Sequence, residues 1–559
     1  MVVETDLWAT AVPDWEHRIT HRLSLLPDLP LFEDQASKAL RIFKRLRVPD
    51  IAGMPTYGEV CDAWVFDLVR VIFGSYDAKT RRRMIREFFL LVPKKNGKSA
   101  IAAAIMVTAI IMNEVPRAEA LLIAPTKKIA DIAFDQAKGI IECDPELTKL
   151  FHPRRDERSL THLISKAVIS IKAADTDTIT GSKATYILID EVHVFAKQSK
   201  ASHIFREIIG SLASRPHGFE LSISTQSKEP PAGVFLSKLQ TARDVRDGKM
   251  KLPLIAVIYE LPKALSKDGG WKDPATWGMV NPNLGRSVDE AFLADELTKA
   301  EREGAAALAL LASQHFNVEI AGALRSDGWS GALLWSRGAE RGLTLRDLID
   351  RSEVITVGGD GGGLDDLFGV GVIGKERGTR RWLTWAHAFV APEGMERRKA
   401  NAVLYEQFMR EGDLTLVERL PDDIAGILAI IAEVQEAGLL GTVGLDPAGA
   451  GQVLIDDLAE MDITQENGLL VGVPQGIQLM GAIKVVERKI ADGSFRHGGR
   501  AMMSWCAHNA VVVPTATGMR IARDEAGYGK IDPLMALFDA AWLMLRNPAP
   551  AAQAEIYAL

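Results

Sequence analysis

Two short strings carry the groups needed to handle a nucleoside triphosphate. Val92-Pro-Lys-Lys-Asn-Gly-Lys-Ser99 has the pattern of a phosphate-binding loop, GxxxxGK[ST], with Val92 where the first glycine belongs. Gly97 lets the backbone turn under phosphate. Lys98 would neutralise the β- and γ-phosphates, Ser99 would ligate Mg²⁺, and the following helix adds its dipole. Lys94, Lys95 and Asn96 lie inside the loop, and either lysine could reach the γ-phosphate in cis. Alone, the string also reads, with less weight, as a lysine-rich surface turn. Its partner is Tyr186-Ile-Leu-Ile-Asp190-Glu191, an apolar strand ending in two acids. There Asp190 would enter the Mg²⁺ shell and Glu191 would polarise the attacking water, which favours ATP hydrolysis over binding alone. His193, two residues on, reads as a packing or hydrogen-bonding residue rather than a catalyst. Ser224-Thr225-Gln226 is either a γ-phosphate sensor or an ordinary strand exit. Arg215, in SRPHG, is either an arginine finger toward a neighbouring subunit or a solvated side chain.

A second set of acids lies far downstream. Asp360 (VGGDGGG) and Asp446 (GTVGLDPAG) each follow a predicted strand, and Asp532 (KIDPLMALFDAAW) opens a predicted helix. Two-metal phosphodiester hydrolysis needs carboxylates that hold two Mg²⁺ ions about 4 Å apart. Asp365 and Asp366 are possible supplementary ligands. Asp539, two helical turns after Asp532, could face the same cleft. Each aspartate also reads as a turn or cap residue, and Asp532-Pro533 has the form of an N-cap followed by the first helical residue.

Alternating apolar runs and helical stretches must position these groups. Strand candidates are 87–93, 119–125, 167–171, 185–189 and 220–225, spaced by helices, as in a parallel sheet covered on both faces. A second block runs through 353–358, 370–373, 381–389, 441–445 and 468–473 to a C-terminal helix near 534–545. A Trp-, Pro- and Asn-bearing segment and a helix around 289–313 separate the blocks. The 559 residues suffice for two to four domains. Net charge is −7, so a global basic footprint for nucleic acid is missing. The first 350 residues carry 47 basic and 45 acidic side chains, and the rest 19 and 28. A polyanion would therefore meet a local patch. The run Lys79–Arg83 with Arg86 could touch a DNA backbone or simply be solvated. Three dispersed cysteines form no CxxC pair, which argues against a structural zinc or disulfide framework and fits a reducing cytoplasm. No signal peptide or membrane-spanning run is visible.

Taken in order, the strings resemble the large terminase subunits of tailed bacteriophages, in the HK97-like group, from about Trp64 to Trp542. RRRMIREFFLLVPKKNGKSAIAA is similar to that family's Walker A region and ILIDEVHVF to its Walker B. WKDPATWGMVNPNLG (271–285) is similar to its D-x-x-x-W-x-x-x-NPN segment. GGDGGGLDDL, GLDPAG, WCAHNAVV and KIDPLMALFDAAW resemble its nuclease motifs. Lys94 departs from a common arginine, Val65 and Ile129 from frequent glutamines, and STQS from a threonine-rich motif.

The resemblance implies an α/β chain with an N-terminal ASCE P-loop ATPase at 1–325, including a parallel central sheet and a lid subdomain at about 245–325. A linker at 326–350 and a C-terminal RNase H-like nuclease with a mixed sheet at 351–559 would follow. It implies a DNA-packaging motor that uses ATP and Mg²⁺, with Mn²⁺ able to substitute at the nuclease. Asp360, Asp446 and Asp532 would hold the nuclease metals. Double-stranded DNA, the portal protein and a small terminase subunit are the implied partners, in a homo-oligomeric ring of five on the procapsid. The implied place is the cytoplasm of the infected bacterium, transiently at the portal vertex and not in the mature virion. A cellular DNA helicase or repair ATPase, and a nucleotide-gated structural component with an inactive nuclease fold, are the alternatives.

Overall fold

A computed structural model describes residues 7–80, 82–154, 158–173, 184–197, 201–267, 269–320, 328–361, 363–364, 366–397, 401–447, 453–515, 518–523 and 529–550. The chain divides into two compact units, Met1–Ile320 and Ala321–Leu559.

The first unit is built on one sheet: β1 (Glu87–Leu91), β2 (Glu119–Ala124), β3 (Phe151–Arg154), β4 (Ser159–His162), β5 (Val168–Ala173), β6 (Ala184–Ile189), β7 (Phe219–Ser224) and β8 (Leu254–Ile258). Their order is β3-β4-β5-β2-β6-β7-β1-β8. The strands from β5 to β8 pair in parallel. The central strands are buried, and β1, β2 and β6 are largely apolar, as strands covered on both faces are; β7 alternates apolar residues with buried Glu220, Ser222 and Ser224. β7 lies between β1 and β6, as an ASCE ATPase requires, so the exits of the three strands stand side by side. The helix Lys98–Met112, almost all Ala, Ile, Met and Val, has no polar face and is buried along nearly its whole length.

The sheet departs from the expected one at both edges. β3 and β4 are antiparallel additions too short and polar to stand out in the sequence. Leu254–Ile258, expected within a lid beginning near 245, is instead the eighth strand, paired with β1 along its full length. Five consecutive apolar residues bury both faces there. The helix expected at 289–313 is two helices, Glu290–Glu303 and Ala305–Phe316, broken at Gly304, whose φ is +106°.

In the second unit β9 (Ser352–Gly361), β10 (Phe368–Glu376) and β11 (Trp382–Val390) form an antiparallel meander. β12 (Leu414–Leu416) joins β11, β13 (Leu440–Leu445) pairs in parallel with β9, and β14 (Leu470–Gly472) extends that edge. β15 (Phe495–His497) also pairs with β11, and β16 (Ala510–Thr515) and β17 (Gly518–Arg523) make a separate hairpin. This is the mixed sheet expected of the RNase H-like type. The expected linker at 326–350 is not a linker: Trp329 and Trp335 are buried in one core beside Phe538, and Leu345, Leu348 and Ile349 in another. WSGALLW carries more apolar surface than a solvated connection could leave exposed. Residues 326 and 327 themselves lie outside the described ones.

Glycines bring the helix Asp532–Met544 down onto β9 and β10. A Cβ at Gly371 would lie 2.4 Å from the backbone nitrogen of Leu537, and one at Gly358 2.1 Å from the carbonyl of Ala536. On alternate positions of the same strands, Ile355, Val357, Phe368, Val370 and Val372 face the opposite core. Gly371→Ala should therefore cost about 1–3 kcal/mol by overpacking. Gly481→Ala, where a Cβ meets open space within the helix Met480–Ala491, should leave thermal melting unchanged or raise it. Calorimetry of the two variants checks the contrast.

Candidate functional site

The residues expected to form the nucleotide site meet where β1, β6 and β7 end. Gly97 adopts φ +76° and caps the helix Lys98–Met112 in the left-handed region. Lys98 Nζ lies 2.8 Å from Glu191 Oε1, and Ser99 Oγ donates to Asp190 Oδ2 at 2.8 Å. Glu191 itself has φ +51°, a conformation that costs a non-glycine residue roughly 1–3 kcal/mol and aims the carboxylate back over the loop. Its other oxygen, Oε2, lies 3.2 Å from His193 Nδ1. The backbone N–H of His193 donates to Ser224 Oγ at 3.1 Å. Burial and the adjacent Glu191 charge push Asp190 above the usual carboxylate range. Burial acts on Glu191 in the same sense, yet the His193 hydrogen bond and the Lys98 charge hold it well below that range. Lys98, Ser99, Asp190 and Glu191 are thus brought together as expected. His193 orients Glu191, and Ser224 anchors His193.

Other expected residues are placed less simply. Lys94 faces a cavity of about 290 Å³ lined by Lys228, Lys299, Gln314 and His315. Burial, then the Lys228 charge, lowers its pKa. Nothing in the sequence singled out Lys228. Lys95 is exposed with φ +70°. Arg215 precedes β7, at the end of the parallel strands opposite the phosphate loop, so this chain does not bring it to its own loop. The basic run is corrected in part. Arg83 is buried and donates to the carbonyls of Ile72, Ile85 and His217, so it is structural and no DNA contact. Arg81 lies outside the described residues. Val65 is packed in the core.

The acids of the second unit converge on one end of its sheet. Leu445 pairs with Gly359, so Asp360 and Asp446 leave neighbouring parallel strands side by side. Asp532 is the first residue of the final helix, with Ile531 at the cap position, so the expected N-cap role belongs one residue earlier. Gly369, the partner of Asp360 on β10, lies directly beneath Pro533. Burial, then the charges of Asp532 and Asp446, push Asp360 well above its ordinary value. Asp539 is wholly buried on the same side. Burial and Asp360 raise it too, while Gln475 Nε2 donates to its Oδ1 at 2.9 Å. Asp366 instead contacts the buried ammonium of Lys530, with Arg523 3.6 Å away. Asp365 lies outside the described residues.

Among the described residues no group of three or more Asp, Glu, His or Cys side chains is already placed to hold a metal ion. The donors nonetheless suit a hard divalent cation: clustered carboxylates, and a buried Asp539 Oδ2 without a hydrogen-bond partner. Sequence alone could not reveal Gln475 or Lys530, because neither sits in a recognisable metal-binding string.

Residues 64–230 match the family model for the ATPase domain of the terminase large subunit, and residues 258–547, more than half of the chain, match that for its endonuclease domain. The chain belongs to the terminase large subunit family. It is an ATPase and an endonuclease. It is 22% identical over 455 residues to the terminase large subunit of Enterobacteria phage HK97, spanning 80% of this chain and 84% of that one. It is 21% identical over 370 residues to protein YmfN of Escherichia coli (strain K12), spanning 64% and 77%. The crystal structure of the HK97 large terminase aligns with 91% of this chain and 99% of its own, at 19% identity and a TM-score of 0.47. The endonuclease model starts inside the first compact unit, before the break at 320/321. No helix among the described residues is long and apolar enough to cross a membrane.

Proposed function

We propose that this chain is the motor and cutting subunit of a viral DNA-packaging machine, hydrolysing ATP between Lys98 and Glu191 and cleaving DNA at Asp360, Asp446 and Asp532. The observation that carries the reading is the presence of two separate clusters of acids, one facing the loop at 92–99 and one at the end of the mixed sheet of the second unit. In the first, Lys94, Lys95, Asn96, Gly97, Lys98 and Ser99 surround the phosphates, and Ser99 and Asp190 would hold Mg²⁺. In the second, the three aspartates would hold divalent cations, with Asp539 beneath them; Mg²⁺, or Mn²⁺ in its place, supplies Lewis-acid stabilisation and an activated water. Double-stranded DNA is what the ATPase moves and the nuclease cuts, and the portal, a small terminase subunit and a ring of five copies on the procapsid complete the machine in the host cytoplasm.

Purified chain, small subunit and portal-bearing procapsids should render DNA resistant to DNase in an ATP-dependent manner. Intact ATPase and cutting without such protection would refute the motor reading. Arg215 is the proposed finger acting on a neighbouring subunit, worth on the order of 10³–10⁵ in rate. Mixing Arg215→Ala with Glu191→Gln chains should restore ATPase above that of either alone. If every ratio stays at the additive baseline, the finger lies in cis, at Lys94 or Lys95.

A further inference from the structure

The D-x-x-x-W-x-x-x-NPN segment has no role in the chemistry above, yet its side chains end on the phosphate loop. Asp273 caps the helix Pro274–Val280 by accepting from Ala275 N–H, and Trp277, one turn on, is buried and donates to the Trp271 carbonyl. The next turn delivers Asn281. Asn96, fully buried within the loop, donates from Nδ2 to Asn281 Oδ1 at 2.8 Å, and its Oδ1 accepts from the backbone N–H of Asn283 at 3.1 Å. Asn283 Nδ2 in turn donates to the Asn96 carbonyl at 2.9 Å, and Ser287 Oγ donates to the Lys95 carbonyl at 2.6 Å. Asn283 Oδ1 accepts from Trp64 Nε1 at 2.9 Å, and Asn281 Nδ2 donates to the His315 carbonyl.

A phosphate loop works by turning its N–H groups inward, so its carbonyls must be held outward. Here Val92 replaces the glycine that usually eases that turn. The left-handed residues are Lys95 and Gly97, and the carbonyls of Lys95 and Asn96 are the ones clasped from outside. We infer that Asn281-Pro282-Asn283, with Ser287, is an external brace that shapes the loop in place of its missing glycine and sets the position of the γ-phosphate. These are positioning residues. They act through loop backbone at 94–96, ahead of the helix N-terminus that receives the β-phosphate.

The inference rests on residues 92–99 being the phosphate site. Asn283→Asp keeps the acceptor for Trp64 and loses the donor to the Asn96 carbonyl. Ser287→Ala removes only the exposed clasp on Lys95, and its fold is not at risk. In the full-length chain, Asn283→Asp should lower kcat about tenfold or more and leave affinity for a fluorescent ADP analogue within about threefold, because misplacement near 1 Å costs turnover first. Ser287→Ala should show the same split, smaller. Parent-like kcat in both variants overturns the brace, as does a kcat loss matched by equal losses of ADP affinity and melting temperature. Lys98→Ala, run beside them, separates the readings: if it hydrolyses ATP normally the phosphate-loop assignment itself fails, and if it is dead while the two brace variants are normal only the brace fails.

Discussion

Glu191→Gln should bind ATP more tightly than the parent chain while hydrolysing it about 10²–10⁴ times more slowly. The loss of turnover follows from removing the carboxylate that would accept a proton from the attacking water. The gain in binding follows from the ion pair. Lys98 Nζ sits 2.8 Å from Glu191 Oε1, with both side chains largely buried, so an incoming triphosphate must take Lys98 away from that partner. Glutamine keeps the shape, removes the charge and frees the ammonium for phosphate. His193 loses a charged partner and keeps its bond to Ser224. Equilibrium binding of a non-hydrolysable ATP analogue, set against steady-state phosphate release, measures both effects. Weaker binding by Glu191→Gln would mean that the ion pair does not compete with nucleotide. Parent-like turnover would remove Glu191 from the chemistry.

Asp360→Asn should abolish plasmid cutting, by on the order of 100-fold or more, while ATP hydrolysis persists. Asp360 lies near the end of β9, beside Asp446 just past β13 and under the start of the final helix, where burial and like charge disfavour its ionised form. Asparagine removes one of the crowded charges at nearly constant volume. The metal-free protein should thus melt at or above the parent temperature. The parent should be stabilised by Mg²⁺ or Mn²⁺, because a bound cation relieves the repulsion and is linked to the folded state. The variant should have lost most of that response. A turn or cap residue predicts the reverse pattern, a loss of about 1 kcal/mol in stability with cutting retained. Thermal melts with and without the ion, beside a nicking assay, read both. A variant that cuts DNA and keeps the full metal shift takes Asp360 out of the site.

Much of this was legible in the chain because the chemistry sits at the ends of locally determined elements. EFFLL before KKNGKS, and ATYILI before Asp190-Glu191, are short apolar runs that can only be buried strands, so their exits had to carry the loop and the acids. The same holds for Asp360 after SEVITVGG and Asp446 after LGTVGL. Tertiary structure alone decided what these groups meet. The bond between Asn96 and Asn281 joins residues 185 positions apart, and the pairing of Gly359 with Leu445 is a register that no local pattern encodes. Periodicity also misjudged residues whose burial is supplied by distant partners. Leu254–Ile258 became a strand because β1 offered a free edge, and Trp329 and Trp335 became core because the final helix and β15 cover them. Asp539 shows the limit most directly. Its place on the final helix follows from helical spacing, but its burial beneath Asp360 depends on Gly358 lacking a Cβ, and its partner Gln475 comes from a separate loop. A one-dimensional pattern reports which face a side chain takes, and only the packed chain reports what stands opposite it.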